Sequence, residues 1–99
     1  MFELRFTQSA CADFEALKKN TAKAGLLKQL RKTLGFLQTN PRHRSLQTHE
    51  YFSIPHPFVS GEKVFEAYAQ NRTPAAYRIF WCYGPAKKQI TVIAITPHP

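Results

Sequence analysis

The chain has 99 residues, of which 43% are hydrophobic and 13% aromatic. This supports one folded domain over residues 1–99 and excludes the composition of a disordered tail. Fourteen Lys and Arg against six Asp and Glu give a formal net charge of +8, which attracts phosphate backbones, acidic proteins or anionic membranes. No apolar run approaches the ~20 residues of a membrane span, and the two cysteines, Cys11 and Cys82, lack disulfide or metal-site spacing. We therefore expect a reduced cytoplasmic protein that needs no cofactor and has no membrane partner.

The first residues predict a strand and then a short helix. The segment MFELRFT alternates apolar and polar side chains, which is the period of a half-buried strand. Ser9 is the expected N-cap of the helix that follows. The apolar face of this helix consists of Ala10, Phe14 and Leu17.

A second, longer helix carries the strongest amphipathic pattern of the chain. Thr21 is its expected cap, and Asn40-Pro41 ends it, because the residue before a proline is driven out of the helical conformation. The apolar stripe consists of Leu27, Leu30, Leu34 and Leu37, with Leu26 on its flank. The opposite face carries Lys28, Arg31 and Lys32.

The second half of the chain predicts a loop over residues 41–62 and then three strands. The strands are expected over Lys63–Ala69, Tyr77–Tyr83 and Gln89–Thr96, and the tight turn GPAKK makes an antiparallel hairpin of the last two. In the middle strand, alternation puts Tyr77, Ile79, Trp81 and Tyr83 on the face expected to pack on the helices. Arg78, Phe80 and Cys82 lie on the other face, which we expect to be open or only partly covered. The last strand is apolar on both faces, with Ile90, Val92 and Ala94 against Ile93 and Ile95, as in an interior position.

The order β-α-α-β-β-β, the basic second helix and the segments NPRHRSLQTH, VFEAY, YRIFW and ITPHP resemble the RelE/ParE toxin superfamily over nearly the whole chain. The resemblance implies an α+β fold in which two helices cover one face of a small antiparallel-rich sheet. It also implies the toxin component of a type II toxin–antitoxin system, with an acidic antitoxin as partner. RelE- and YoeB-like members cleave messenger RNA on the ribosome, whereas ParE-like members inhibit DNA gyrase.

The resemblance implies two catalytic residues, Arg78 and His98. Arg78 matches the strand arginine that contacts the scissile phosphate, and a guanidinium suits this role because it stays charged and presents a planar fork. The plainer alternative is an ion pair with Glu66 on the neighbouring strand. His98 matches the acid–base histidine near the end of YoeB-like chains, and imidazole titrates near neutral pH. Pro99 replaces the tyrosine that follows it in that branch.

Three further sets of residues are candidates for a phosphate-binding surface or for auxiliary roles. Arg42 and Arg44 are expected to extend the basic helix face formed by Lys28, Arg31 and Lys32. His43 and His49 in the same loop are expected to hydrogen-bond loop backbone rather than RNA, and a zinc site with His56 lacks a recognised spacing. No carboxylate occupies the loop position of the YoeB general base, so Glu66 is the substitute candidate, with Tyr68 as a base-stacking residue.

The sequence therefore leaves two function classes open. The first is a metal-independent, ribosome-dependent endoribonuclease. The second is a non-catalytic binding protein, either a gyrase inhibitor or an inactive toxin homologue held by an acidic antitoxin. Loss of the loop carboxylate and of the terminal tyrosine favours the second class, and the pairing of Arg78 with His98 favours the first.

Overall fold

A computed structural model describes residues 1–70 and 75–97. Its elements are β1 (Glu3–Phe6), α1 (Gln8–Lys18), α2 (Ala24–Thr39), β2 (His49–Glu50), β3 (Phe65–Tyr68), β4 (Tyr77–Tyr83) and β5 (Gln89–Pro97). The strands form one sheet in the order β1-β5-β4-β3-β2. β1 is parallel to β5, and the other neighbours are antiparallel. The predicted α+β class, with two helices against an antiparallel-rich sheet, is confirmed. Within the described residues, no helix is both long and apolar enough to cross a bilayer.

The two helices begin at other residues than the sequence predicted. α1 is capped by Thr7 rather than Ser9, because its hydroxyl accepts a hydrogen bond from the Ala10 N–H at 3.1 Å. The Thr21–Lys23 segment is a separate 3-10 helix capped by Asn20, so Thr21 does not cap α2. α2 ends at Thr39, as the Asn40-Pro41 signal predicted.

The core lies between the helices and one face of the sheet. α2 contributes Leu26, Leu30, Leu34 and Leu37, so Leu26 is buried where the prediction had placed Leu27 in the stripe. Trp81 of β4 is 1% exposed and has the Phe65 and Tyr83 rings beside it at centroid distances of 4.8 and 5.0 Å. Ile79 and Trp81 therefore face the helices as predicted. The prediction is wrong for Tyr83, which is 41% exposed and contacts Phe2 near the end of the strand.

A β-bulge in β5 changes which of its side chains enter the core. Phe80 pairs with Ala94 and Trp81 with Val92, so Ile93 is an extra residue between them. Val92 and Ile95 both belong to the core as a result. The strict alternation that grouped Ala94 with Val92 is therefore wrong, although the interior position of β5, between β1 and β4, is confirmed. The Ile93 carbonyl accepts a hydrogen bond from the Thr7 hydroxyl at 2.7 Å, which ties the start of α1 to the bulge.

The face of β4 opposite the helices is covered, which contradicts the prediction. Arg78, Phe80 and Cys82 are all buried. Tyr51 packs on Phe80 at 4.7 Å, and Tyr68 stacks on Arg78 at 3.8 Å. The reason lies in residues 41–62, predicted as mostly loop, which contain a short strand that pairs with β3 and brings Tyr51 over the sheet. Burial also raises the pKa of the Cys82 thiol to about 11, so it stays protonated at neutral pH.

Trp81→Ala should lower the free energy of unfolding by about 3–5 kcal/mol, because it removes the largest fully buried side chain of the core. Phe52→Ala is the control, since Phe52 is 83% exposed and its loss should change stability by less than about 0.5 kcal/mol. Urea denaturation followed by circular dichroism measures both. A cost below about 1 kcal/mol for Trp81→Ala would contradict this description of the core.

Candidate functional site

Four side chains form a polar cluster on the sheet face opposite the helices: His49, Glu66, Tyr68 and Arg78. His49 of β2 pairs with Glu66 of β3, and Tyr68 of β3 pairs with Arg78 of β4. Side chains alternate along a strand, so Glu66 and Tyr68 point away from Phe65 and Ala67, which belong to the helix side. The short strand β2 and the β3–β4 register are thus what assemble the polar cluster.

Glu66 is the centre of the polar cluster and is only 2% exposed. Its Oε1 atom lies 2.5 Å from Nε2 of His49, and its Oε2 atom lies 3.9 Å from Nε of Arg78. Neither Oε2 nor Arg78 Nε has a hydrogen-bond partner within residues 1–70 and 75–97. The carboxylate is therefore held mainly by charge attraction on one side and by a short hydrogen bond on the other, in an environment where both are strong.

Arg78 is fixed by backbone carbonyls and by an aromatic ring. Its Nη1 atom donates to the carbonyl oxygens of Gln70, Ala76 and Tyr77 at 3.1, 3.3 and 3.4 Å. The guanidinium carbon lies 3.8 Å from the centroid of the Tyr68 ring, a cation–π contact. The pairing of Arg78 with Glu66, which the sequence offered as the plainer alternative, is present. The same contacts also hold the guanidinium in one orientation.

His49 is the residue of the polar cluster that the sequence interpretation missed. The prediction of a backbone hydrogen bond is met by its Nδ1 atom, 3.3 Å from the Gln47 carbonyl. The short contact of Nε2 with Glu66 was not foreseen, because a strand of two residues leaves almost no alternation to read. Two further histidines, His43 and His56, do serve the backbone. His43 Nδ1 accepts from the Ser45 N–H, and His56 Nδ1 accepts from the N–H groups of Phe58 and Val59.

The cationic residues predicted as one surface are divided. Lys32 lines a cavity of about 360 Å³ together with Tyr68 and Gln70, next to the polar cluster. Arg42 and Arg44 line another cavity, of about 450 Å³, which includes the core residues Phe65 and Trp81. Lys28 and Arg31 are exposed on α2 and line neither cavity.

Neither His98 nor a metal site is part of the polar cluster that residues 1–70 and 75–97 describe. His98 lies outside the described residues, and the part of the sheet that precedes it ends at Pro97, paired with Tyr77. Over residues 1–70 and 75–97, no group of three or more His, Cys, Asp or Glu side chains is arranged to hold a metal ion.

The fold is similar to solved toxin structures over almost its entire length. A YoeB/ParE toxin from Agrobacterium tumefaciens matches with a TM-score of 0.71 and 12% identity, covering 99% of this chain and 100% of that one. A YoeB dimer from Staphylococcus aureus matches with a TM-score of 0.66 and 14% identity, over 99% and 98% of the two chains. The E. coli RelBE toxin–antitoxin complex matches with a TM-score of 0.64 and 16% identity, over 100% and 99%.

These matches show that the chain has a RelE/ParE-like toxin fold, as the resemblance in sequence implied. Neither a protein-family model nor a curated protein sequence matches it. At such identities the likeness is one of fold, and function rests on the site.

Arg78→Ala should lower the free energy of unfolding by about 3 kcal/mol, because it leaves a buried carboxylate without its cation. In a Glu66→Gln background the same change should cost less, with a coupling of roughly 0.5–3 kcal/mol in a double-mutant cycle. Arg31→Ala, an exposed arginine on α2, is the control and should stay within about 0.5 kcal/mol. Additive effects of the two cluster substitutions would contradict the coupling between Glu66 and Arg78.

Proposed function

We propose that this protein is the toxin component of a type II toxin–antitoxin pair and acts as a metal-independent, ribosome-dependent messenger RNA endoribonuclease in the cytoplasm. The observation that carries the proposal is the polar cluster, in which a fixed guanidinium, a buried carboxylate, an imidazole and a tyrosine ring meet on the face opposite the helices. The toxin fold and the net charge of +8 support it.

Arg78 is the proposed stabiliser of the transition state. Cleavage by the 2′-hydroxyl of RNA builds negative charge on the oxygens of the scissile phosphate, and a preorganised cation lowers that barrier. The three carbonyl contacts and the Tyr68 ring supply the preorganisation. Glu66, which was a candidate general base, is buried with both oxygens facing partners, so in this proposal it orients its neighbours instead.

His98 is the proposed second group at the scissile phosphate and acts as an acid or base. It directly follows Pro97, whose partner in β4 is Tyr77, the residue before Arg78. Tyr68 is the proposed stacking partner of a base. The proposed phosphate-binding residues are Lys32 beside the cluster and, further away, Lys28, Arg31, Arg42 and Arg44.

An acidic antitoxin is the proposed protein partner. Two similar structures, YoeB–YefM from S. aureus and RelBE from E. coli, are toxin–antitoxin complexes. This chain offers such a partner its excess positive charge and the exposed apolar side chains of Phe52, Phe58 and Val59.

Co-expression with the neighbouring genes should yield a stoichiometric complex with a small acidic protein. The complex should melt at a higher temperature than the free chain, because a ligand of the folded state stabilises it by mass action. Affinity purification followed by mass spectrometry and thermal denaturation measures both. Purification of the chain without a stoichiometric partner would count against the toxin assignment.

Induction of the wild type should arrest translation and cleave ribosome-bound messenger, and Arg78→Ala should reduce cleavage about 10²-fold or more through loss of a transition-state contact. Lys87→Ala, which removes an exposed cation at the β4–β5 turn, is the control and should leave cleavage unchanged. Because Arg78→Ala also destabilises the fold, the rates are compared at a temperature where circular dichroism shows both variants folded. Wild-type rates from the Arg78→Ala variant would refute the assigned role.

The runner-up is a non-catalytic binder, including a gyrase inhibitor. The burial of Arg78 and its three carbonyl contacts favour this alternative, because a structural arginine is held in the same way. Intact messenger together with a fall in DNA supercoiling after induction would select the gyrase inhibitor. Intact messenger, unchanged supercoiling and normal growth would select an inactive toxin homologue.

A further inference from the structure

We propose that His49 is the general acid of RNA cleavage and that Glu66 is its positioning residue. The inference rests on the proposed ribonuclease function and assigns a proton donor within the polar cluster. The polar cluster is asymmetric, because the His49 side chain is 47% exposed whereas those of Glu66 and Arg78 are 2% and 11% exposed. Of these three ionisable groups, His49 presents most of its surface to solvent and thus to an incoming RNA strand.

The hydrogen-bond partners of His49 indicate how many protons His49 and Glu66 hold between them. Nδ1 faces the Gln47 carbonyl oxygen, which only accepts, so Nδ1 carries a proton. Nε2 faces Glu66 Oε1 at 2.5 Å, and a proton must lie between these two atoms for so short a contact to be attractive. Whichever of the two atoms holds it, the pair contains two protons in this geometry. A pair in that state is a proton donor.

The surroundings of the His49 ring fix its direction. The Glu66 carboxylate faces it from β3, and the ring of Tyr68 meets it edge-on at 5.7 Å. Arg78 of β4 faces the other oxygen of Glu66, so its positive charge is balanced by the same carboxylate. A carboxylate that orients an imidazole through one nitrogen and leaves the other for proton transfer is a familiar catalytic arrangement.

The cleavage step is an internal displacement at phosphorus by the 2′-oxygen of the RNA. The 2′-oxygen of the RNA forms a bond to phosphorus, and the bond between phosphorus and the 5′-oxygen breaks, giving a 2′,3′-cyclic phosphate and a 5′-hydroxyl. The 5′-oxygen takes the proton from Nδ1 of His49, which gives up its weak contact with the Gln47 carbonyl. The proton of the 2′-hydroxyl passes to the base of the reaction, which is the role that remains for His98 in the proposed function. Nε2 keeps its hydrogen bond to Glu66 throughout.

The test is the single-turnover cleavage of ribosome-bound messenger between pH 6 and 9. For the wild type, the rate should fall as the pH rises and the pair loses its donor proton. His49→Gln keeps a hydrogen-bond donor for Glu66 but no acidic proton, so the rate should fall about 10²-fold or more and lose its alkaline decline. Glu66→Gln removes the charged acceptor that orients the imidazole, so its rate should fall less than that of His49→Gln, and Glu66→Asp should recover part of the loss. Added imidazole should restore part of the activity of His49→Ala.

A matched control keeps the outcomes separate. His56→Gln replaces another partly exposed histidine, one that serves loop backbone, and should leave both rate and pH profile unchanged. If the wild type cleaves and His49→Gln cleaves equally with the same profile, this inference is overturned while the ribonuclease function stands. If the wild type leaves messenger intact, the ribonuclease function and the inference are both overturned. A folding defect is excluded when His49→Gln melts within a few degrees of the wild type.

Discussion

β4 is buried on both faces, and the arrangement of the other elements follows from this constraint. On one side Ile79 and Trp81 require an apolar layer, which the leucines of α2 and the buried residues of α1 provide. On the other side Phe80 and Cys82 are equally buried, and Arg78 is buried with them. A charged group in that position costs much free energy unless it is paired and hydrogen-bonded. The contacts of Arg78 with Glu66, Tyr68 and three carbonyl oxygens meet that requirement.

The bulge at Ile93 allows side chains on both sides of it in β5 to reach the core. The strand lies between β1 and β4, and its N-terminal half must place Ile90 and Val92 under the helices. One extra residue then shifts the alternation, so that Ile95 also reaches the core while Ala94 faces the polar side opposite Phe80. The bulged carbonyl is used as an acceptor by Thr7, whose hydroxyl also caps α1. The entry of the first helix and the geometry of the central strands are therefore coupled.

The burial of the charges shapes the proposed chemistry. The Glu66 and Arg78 side chains are 2% and 11% exposed, so in the proposal Arg78 offers the phosphate only a small part of its surface, whereas His49 on the short outer strand is 47% exposed. The Lys32 cavity adjoins the cluster through Tyr68. The cluster therefore combines a fixed, buried charge pair, Glu66 and Arg78, with the accessible imidazole of His49 at the side of the sheet. This arrangement suits proton transfer and charge stabilisation by residues that do not reorganise during the reaction.

Much of the fold was determined by the sequence itself. Local sequence patterns predicted the first strand, the leucine stripe of α2, the Asn40-Pro41 stop and the last two strands. Those strands were predicted over Tyr77–Tyr83 and Gln89–Thr96, and they run over Tyr77–Tyr83 and Gln89–Pro97. Such patterns depend on neighbouring residues, so they can be read before the tertiary contacts are known. The same holds for Glu66, Tyr68 and Arg78 sharing a face, because alternation along two paired strands requires it.

Only the tertiary structure decided the rest. The bulge, the covering of the polar face by Tyr51 and the meeting of His49 with Glu66 all depend on strand register. Register is set by pairing between segments far apart in sequence, and a strand as short as His49–Glu50 carries no period of its own. The sequence therefore identified candidate residues of the site by their chemical type. Their contacts, and with them the proposed role of His49, depend on the pairing of β2, β3 and β4.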